Sequence, residues 1–238
     1  MWFSGRMGAW GASDPSSILG TPTNMANDRE KVDILTPPTF EKSGQIKLKQ
    51  EAWQDGDWIA TFNLWIVQDK PEPAIIYQQR SLQKSWAPGK LDVTAGGHLL
   101  AGEKIIDGLR EVKEELGKTY PLSKINYLGR KLHVSPDTQG NMRQNVVHIY
   151  FTLDNSNPNT FRLDPSEVHA LCICPIQKLI NVHTKKRYSF VAPILDSHGS
   201  QTSLKVTQAS FPYNWDNYHF KIALLAKRFL KGEKHLLY

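Results

Sequence analysis

The period of the apolar positions changes several times along the 238 residues. Alternation of apolar and polar side chains, the mark of a strand with one buried face, predicts strands over 45–51, 61–67, 74–80, 125–134 and 145–153. Shorter strands are expected at 92–95 and 170–174. Between them the period lengthens: Ile105, Leu109, Val112 and Leu116 recur four, three and four apart, which predicts a helix over 104–117. Gly117 stands where such a helix would stop. A short helix is expected at 176–180 and a C-terminal one at 217–230, the latter with Lys and Arg near its end and Gly232 after it. Polar turn clusters separate these elements, and no internal repeat is present. Strands interleaved with a few helices predict a mixed sheet between helices.

The other side of the 104–117 helix carries chemistry. Glu111, Glu114 and Glu115 cluster opposite the apolar stripe, with Asp107 beside them. Like charges three and four residues apart repel, so the cluster costs helix stability unless cations neutralise it. Arg110, four residues before Glu114, can pair with it but cannot balance the whole group. Directly upstream, Gly96, Gly97 and Gly102 form a loop that permits close backbone approach and exposes carbonyls to a hard cation. Magnesium favours oxygen ligands and commonly shares its coordination with substrate phosphates.

Gly97, Glu103, Arg110, Glu111, Val112, Glu114, Glu115 and Gly117 together resemble the signature of the Nudix hydrolases, G-x5-E-x7-R-E-U-x-E-E-x-G-U with U a bulky aliphatic residue. The chain departs from it twice: six residues rather than seven separate Glu103 from Arg110, and Lys118 fills the last aliphatic position. A later helix start would absorb the shortening. The resemblance implies an α/β fold of the Nudix type, an α/β/α sandwich with a mixed central sheet. It implies a pyrophosphohydrolase whose catalytic set is Glu103, Arg110, Glu114 and Glu115. Mg2+, or Mn2+, would be held by Gly97, Glu111, Glu114 and Glu115. Arg110 would orient the glutamates, and the general base would be Glu115 or Glu114, with Glu167 a further candidate.

The flanks, 75–81 and 86–95, resemble the Nudix branch related to isopentenyl-diphosphate isomerase, and the likeness covers roughly 32–180. The isomerase's own chemistry is missing. Gly96 stands in place of its cysteine, Trp58-Ile59-Ala60 replaces its first-strand histidine, and Arg143 and Asn145 replace its glutamates. His98 persists and reads as a hydrogen-bonding or packing residue. Hydrolysis of a small-molecule diphosphate is the expected function, with a Nudix-fold binding or regulatory module as the alternative and isomerisation disfavoured.

Composition adds bounds. A net charge of +6 suits polyanionic small substrates and nucleic acid alike, though nucleic acid is not favoured as a partner. No apolar run approaches the ~20 residues of a membrane span. Cys172 and Cys174, one residue apart, would share a strand face as buried thiols, which fits a reducing, cytoplasmic compartment. Residues 1–24 lack the apolar core of a secretory signal and read as a loosely ordered extension, with one domain over 25–238. Arg80 and Lys90 are candidate phosphate-binding cations, with Lys84 and Arg143 nearby; Lys185-Lys186-Arg187 reads as a loop face. Trp53, Trp58, Trp65, Trp86 and Trp215 are candidate stacking surfaces. A homodimer is compatible with the sequence, which names neither oligomeric state nor substrate.

Overall fold

The computed structural model describes residues 29–136, 140–212 and 216–238. The extension expected at 1–24 and Trp215 lie outside the described residues. The architecture is α/β: one mixed sheet with helices on both faces.

The organising strand is β3 (Trp58–Gln68). Along one edge it pairs in parallel with β8 (Met142–Leu153), from Trp58↔Gln144 to Val67↔Leu153. Along its other edge it meets, in turn, β1 (Lys31–Thr36), β6 (Ala95–His98) and β4 (Ala74–Arg80), all antiparallel. Outside β1 lies β2 (Glu41–Leu48), and outside β8 lies β7 (Asn126–Pro136). Beyond β4 the sheet continues through β9 (Val168–Pro175), β10 (Phe190–Asp196) and β11 (Gln201–Val206), while the two-residue β5 (Leu91–Asp92) also pairs with β4.

Alternation along β3 divides the interior. Phe62, Leu64 and Ile66 turn to one face, where Val112 and Leu116 of α2 (Leu109–Leu116) cover them. Trp65 and Val67 turn to the other, under α3 (Ile176–Thr184) and α4 (Tyr218–Leu230). A smaller cluster joins Ala52 and Trp53 of α1 (Lys49–Gln54) to Val32, Ile34 and Ile59. Cys172 and Cys174 face the same core, buried, with their sulfurs 3.5 Å apart. No helix among the described residues is long and apolar enough to cross a membrane.

Four expectations need correction, and one hairpin lies outside what the pattern predicts. The strand expected over 45–51 ends at Leu48 and turns into α1, because the Glu51 carboxylate accepts from the Leu48 N–H at 3.1 Å and starts a helix there. The single strand expected at 92–95 is two, β5 and β6, joined by a wedge: Thr94 Oγ1 accepts from Ile66 N–H at 2.9 Å and donates to the Ile76 carbonyl, filling the fork where β3 and β4 part. The helix expected over 104–117 opens as a tight 3-10 turn, Ile105–Gly108, and becomes α-helical only at Leu109. The hairpin β10–β11 was not foreseen, since Pro193 interrupts one strand and the other is largely exposed and polar. The helix expected at 176–180 runs on to Thr184, whose hydroxyl donates to the Ile180 carbonyl.

Candidate active site

The late start of α2 resolves the shortened signature. Glu103 still reaches Arg110, accepting from Nε at 2.7 Å, while its second oxygen accepts from the Leu100 N–H at 2.7 Å. Gly108 makes the tight turn fit, since a Cβ there would lie 2.4 Å from Phe62 Cβ. The helix ends on Gly117 with φ +64°, a left-handed residue that lets its N–H reach the Lys113 carbonyl. Lys118, in the usual aliphatic position, lies over Phe161 with its ammonium 4.4 Å from the ring centroid and donates to Ser156 and Thr160.

Arg110 is the hub of the carboxylates. Besides Glu103 it pairs with Glu111 at 2.7 Å and Glu114 at 3.2 Å, and it donates to the His98 carbonyl at 2.9 Å. Burial works against its charge, but these carboxylates outweigh burial and raise its pKa above the ordinary guanidinium value. Glu111 lies directly over Gly97, where a Cβ would come within 2.3 Å of its Oε1. Glu115, one turn on, is buried and accepts from the Gly96 N–H at 3.2 Å. Burial pushes Glu111 up to about 7, with Arg110 opposing and Glu114 adding to the rise. Burial, then the charges of Glu111 and Glu167, push Glu115 well above the carboxylate range. His98, half-buried and desolvated by its surroundings, then faced by the charges of Lys49, Arg143, Lys84 and Arg110, is held well below its usual value and is neutral. Its ring stands edge-on to Trp53 at 5.3 Å.

These groups form one wall of a cleft of about 590 Å3. The end of β4 brings Arg80 to it and the loop that follows brings Lys84 and Trp86; β8 brings Arg143 and Asn145; the turn before β9 brings Asp164, Ser166 and Glu167. Arg80 lies over the Trp86 ring, 4.9 Å from its centroid, and donates to the Trp86 carbonyl. Lys84 and Glu167 form an ion pair across the opening.

Not every expected residue arrives. Lys90 does not line the cleft, for its ammonium donates to the Ala209 carbonyl at 2.7 Å. Glu103 sits behind Arg110 rather than on the cleft wall. Trp65 is wholly buried in the core and Trp58 packs against Phe40, which leaves Trp53 and Trp86 on the cleft. The Lys185-Lys186-Arg187 run is exposed, away from this site. Sequence reading missed the floor, made of Thr61, Asn63, Lys131, His133 and Tyr218. A signal existed in β7, where the polar residues Lys131, His133 and Ser135 alternate on one face.

Among the described residues no three His, Cys, Asp or Glu side chains form a ready-made metal cage. Magnesium does not require one, being held commonly by one or two carboxylates together with substrate phosphates. Glu111 and Glu115 suit that role: one half-buried and one buried oxygen donor, both raised in proton affinity, beside glycines that leave room for them.

Residues 58–196 match the NUDIX domain family. An uncharacterized Nudix hydrolase of Clostridium acetobutylicum is 32% identical over 137 residues, which span 56% of this chain and 65% of that protein. Nudix hydrolase 3 of Arabidopsis thaliana is 26% identical over 166 residues, 68% of this chain and 21% of that protein. The chain thus spans less than two thirds of the length of either relative. Among solved structures, a Deinococcus radiodurans protein aligns with TM-score 0.49 and 19% identity, covering 66% of this chain and 90% of the other. Since the match to the NUDIX domain takes in the glycine loop, the carboxylate helix and most of the sheet that carries them, the chain belongs to the Nudix family.

Proposed function

We propose that the chain hydrolyses a diphosphate linkage in a small molecule by attack of water on phosphorus, with Mg2+ or Mn2+ as cofactor. One observation carries this reading: half-buried Glu111 and buried Glu115 stand one helical turn apart on the wall of a large cleft with their proton affinities raised, so they favour a positive counter-charge between them and a ligand. A divalent ion there would offset the charge of the diphosphate and make a water more acidic. Glu111, Glu115 and Glu114, with the Gly97 carbonyl, would hold it. Arg110, gripped by Glu103, orients the glutamates. Glu115 or Glu114 would take the proton of the attacking water, with Glu167 the alternative from across the opening. Arg80, Lys84 and Arg143 face the cleft and would meet phosphate oxygens; Lys90 drops out of this set.

The branch resemblance does not extend to isomerisation. A side chain at position 96 would put its Cβ 2.5 Å from the Phe62 carbonyl and 2.8 Å from Asn63 Oδ1, so the backbone here leaves no room for a thiol.

The test is a phosphate-release screen over nucleoside diphosphates, nucleotide sugars and thiamine-type diphosphates, with and without Mg2+, with a coupled phosphatase for the nucleotide sugars, whose cleavage yields two phosphate monoesters. Release from at least one substrate is expected, abolished by chelation. No release from any of them would sink the hydrolase and leave the binding module. Isopentenyl diphosphate is expected to pass through unisomerised.

A further inference from the structure

The cleft has a second surface that the hydrolytic machinery does not use. Its floor is the exposed end of the β7–β8–β3 sheet, where strand pairing sets Lys131, Val147 and Thr61 in one row and His133 beside Asn145 in the next. Thr61 and Asn145 are each more than nine-tenths buried, and among the described residues Thr61 Oγ1 and Asn145 Oδ1 have no hydrogen-bond partner. Buried polar atoms at the base of a cleft, without partners of their own, are a demand for a ligand that supplies them.

Beside them Lys131 is held as a buried cation. Its ammonium pairs with Asp216 at 3.1 Å and stands 3.9 Å from the Tyr218 ring centroid. Asp216 in turn accepts from the Tyr238 hydroxyl at 2.9 Å. The Tyr218 hydroxyl accepts from Asn63 and from Trp65, each at 3.0 Å. The floor is therefore fixed from behind by the C-terminal helix and by Tyr238, not left to move with solvent.

We propose that Thr61, Asn145 and Lys131 select the group attached to the diphosphate, that this group is a hydrogen-bonding sugar or base and not a hydrocarbon, and that Asp216 and Tyr238 are positioning residues for Lys131. The proposal rests on reading the cleft as a diphosphate site. A hydrocarbon on this floor would strip Thr61 and Asn145 of water and return nothing, whereas a ring bearing hydroxyl, carbonyl or amino groups satisfies both. The cleft volume, about 590 Å3, has room for such a ring together with its phosphates.

The test is calorimetric binding in metal-free buffer with chelator, so that no turnover is needed. The probes are the four ribonucleoside monophosphates, glucose 1-phosphate and isopentenyl monophosphate. At least one polar probe is expected to bind about tenfold or more tightly than isopentenyl monophosphate, and the winning arm tells base from sugar. Thr61→Val, which keeps the shape and removes the hydroxyl, and Asn145→Leu should each weaken that polar probe about fivefold to tenfold. Lys131→Met should do at least as much. Tyr238→Phe should raise Kd and, in turnover assays, KM about threefold while leaving kcat within about twofold, a split that loss of folding would not produce. If Asn145→Leu fails to fold, Thr61→Val decides. Equal binding of isopentenyl monophosphate, no binding of any polar probe, or unaltered affinity in Thr61→Val would overturn the proposal. A failed phosphate-release screen with intact polar binding would instead overturn only the hydrolase.

Discussion

Helices α2 and α4 lie on opposite faces of one sheet and solve different problems. α2 is eight residues long and buries only Val112, Glu115 and Leu116. Its position comes from glycines that bring backbone and carboxylate into contact, and from an arginine that gathers three acids. α4 is thirteen residues long, and Ile222, Ala223, Leu225 and Ala226 seal the larger core beside a cluster of aromatic rings. The first helix is held by specific close approaches, the second by area removed from water. The proposed chemistry falls on the helix with the smaller apolar anchor, because a face that must offer charge cannot also be a face that excludes water.

The comparison breaks most sharply at Glu114, which is 59% exposed and pairs with Arg110. Glu114→Gln should reduce phosphate release about a hundredfold or more, with a melting temperature close to that of the parent protein. Comparable losses of activity and stability together would mean that α2 is a packing helix after all. On the other face, Ile222→Ala should cost about 2–5 kcal/mol in urea unfolding while each folded molecule keeps its activity.

A third test uses pH. His219, buried among Trp65, Tyr77 and Phe211, has its pKa pushed down to about 4, chiefly by burial. A histidine with a folded pKa below its unfolded value of about 6.5 favours the native state while it is neutral. That contribution is fully present above about 6.5 and is lost as pH falls toward 4, amounting to roughly 3 kcal/mol at the bottom of the window. His219→Phe should flatten the fall in thermal midpoint between pH 7 and pH 4, and an unchanged slope would assign the acid sensitivity elsewhere. Smallest in effect, Gly97→Ala should push Glu111 aside and lower turnover about tenfold to a hundredfold with little change in stability.

How much of this was readable follows from how far apart the cooperating residues lie. The α2 stripe, the carboxylate cluster and the stop at Gly117 are contained within one helix, so spacing alone reveals them. The pairing of Arg110 with Glu114 is likewise local. Lys49–Gln54 escaped because its start depends on one side chain, Glu51, folding back to a backbone N–H, which alternation does not report. The floor escaped for a stronger reason. Thr61, Lys131 and Asn145 become neighbours only through the parallel pairing of β3 with β8 and the hairpin of β7 with β8, and no periodicity within one segment encodes that register. Lys90 misled in the opposite sense: near Arg80 in sequence and across the ladder, it is drawn away to a distant carbonyl.

β3 supplies Thr61 and Asn63 to the floor, packs Phe62 against Gly108 at the start of α2, and pairs with the glycines of β6. The proposed selectivity and the proposed reactivity are thus mounted on the same rail. Moving that rail to fit a new substrate would misalign the carboxylates as well. Retuning this protein toward another diphosphate should therefore proceed by exchanging side chains at 61, 131 and 145 with the backbone left in place, a three-position library rather than a loop graft.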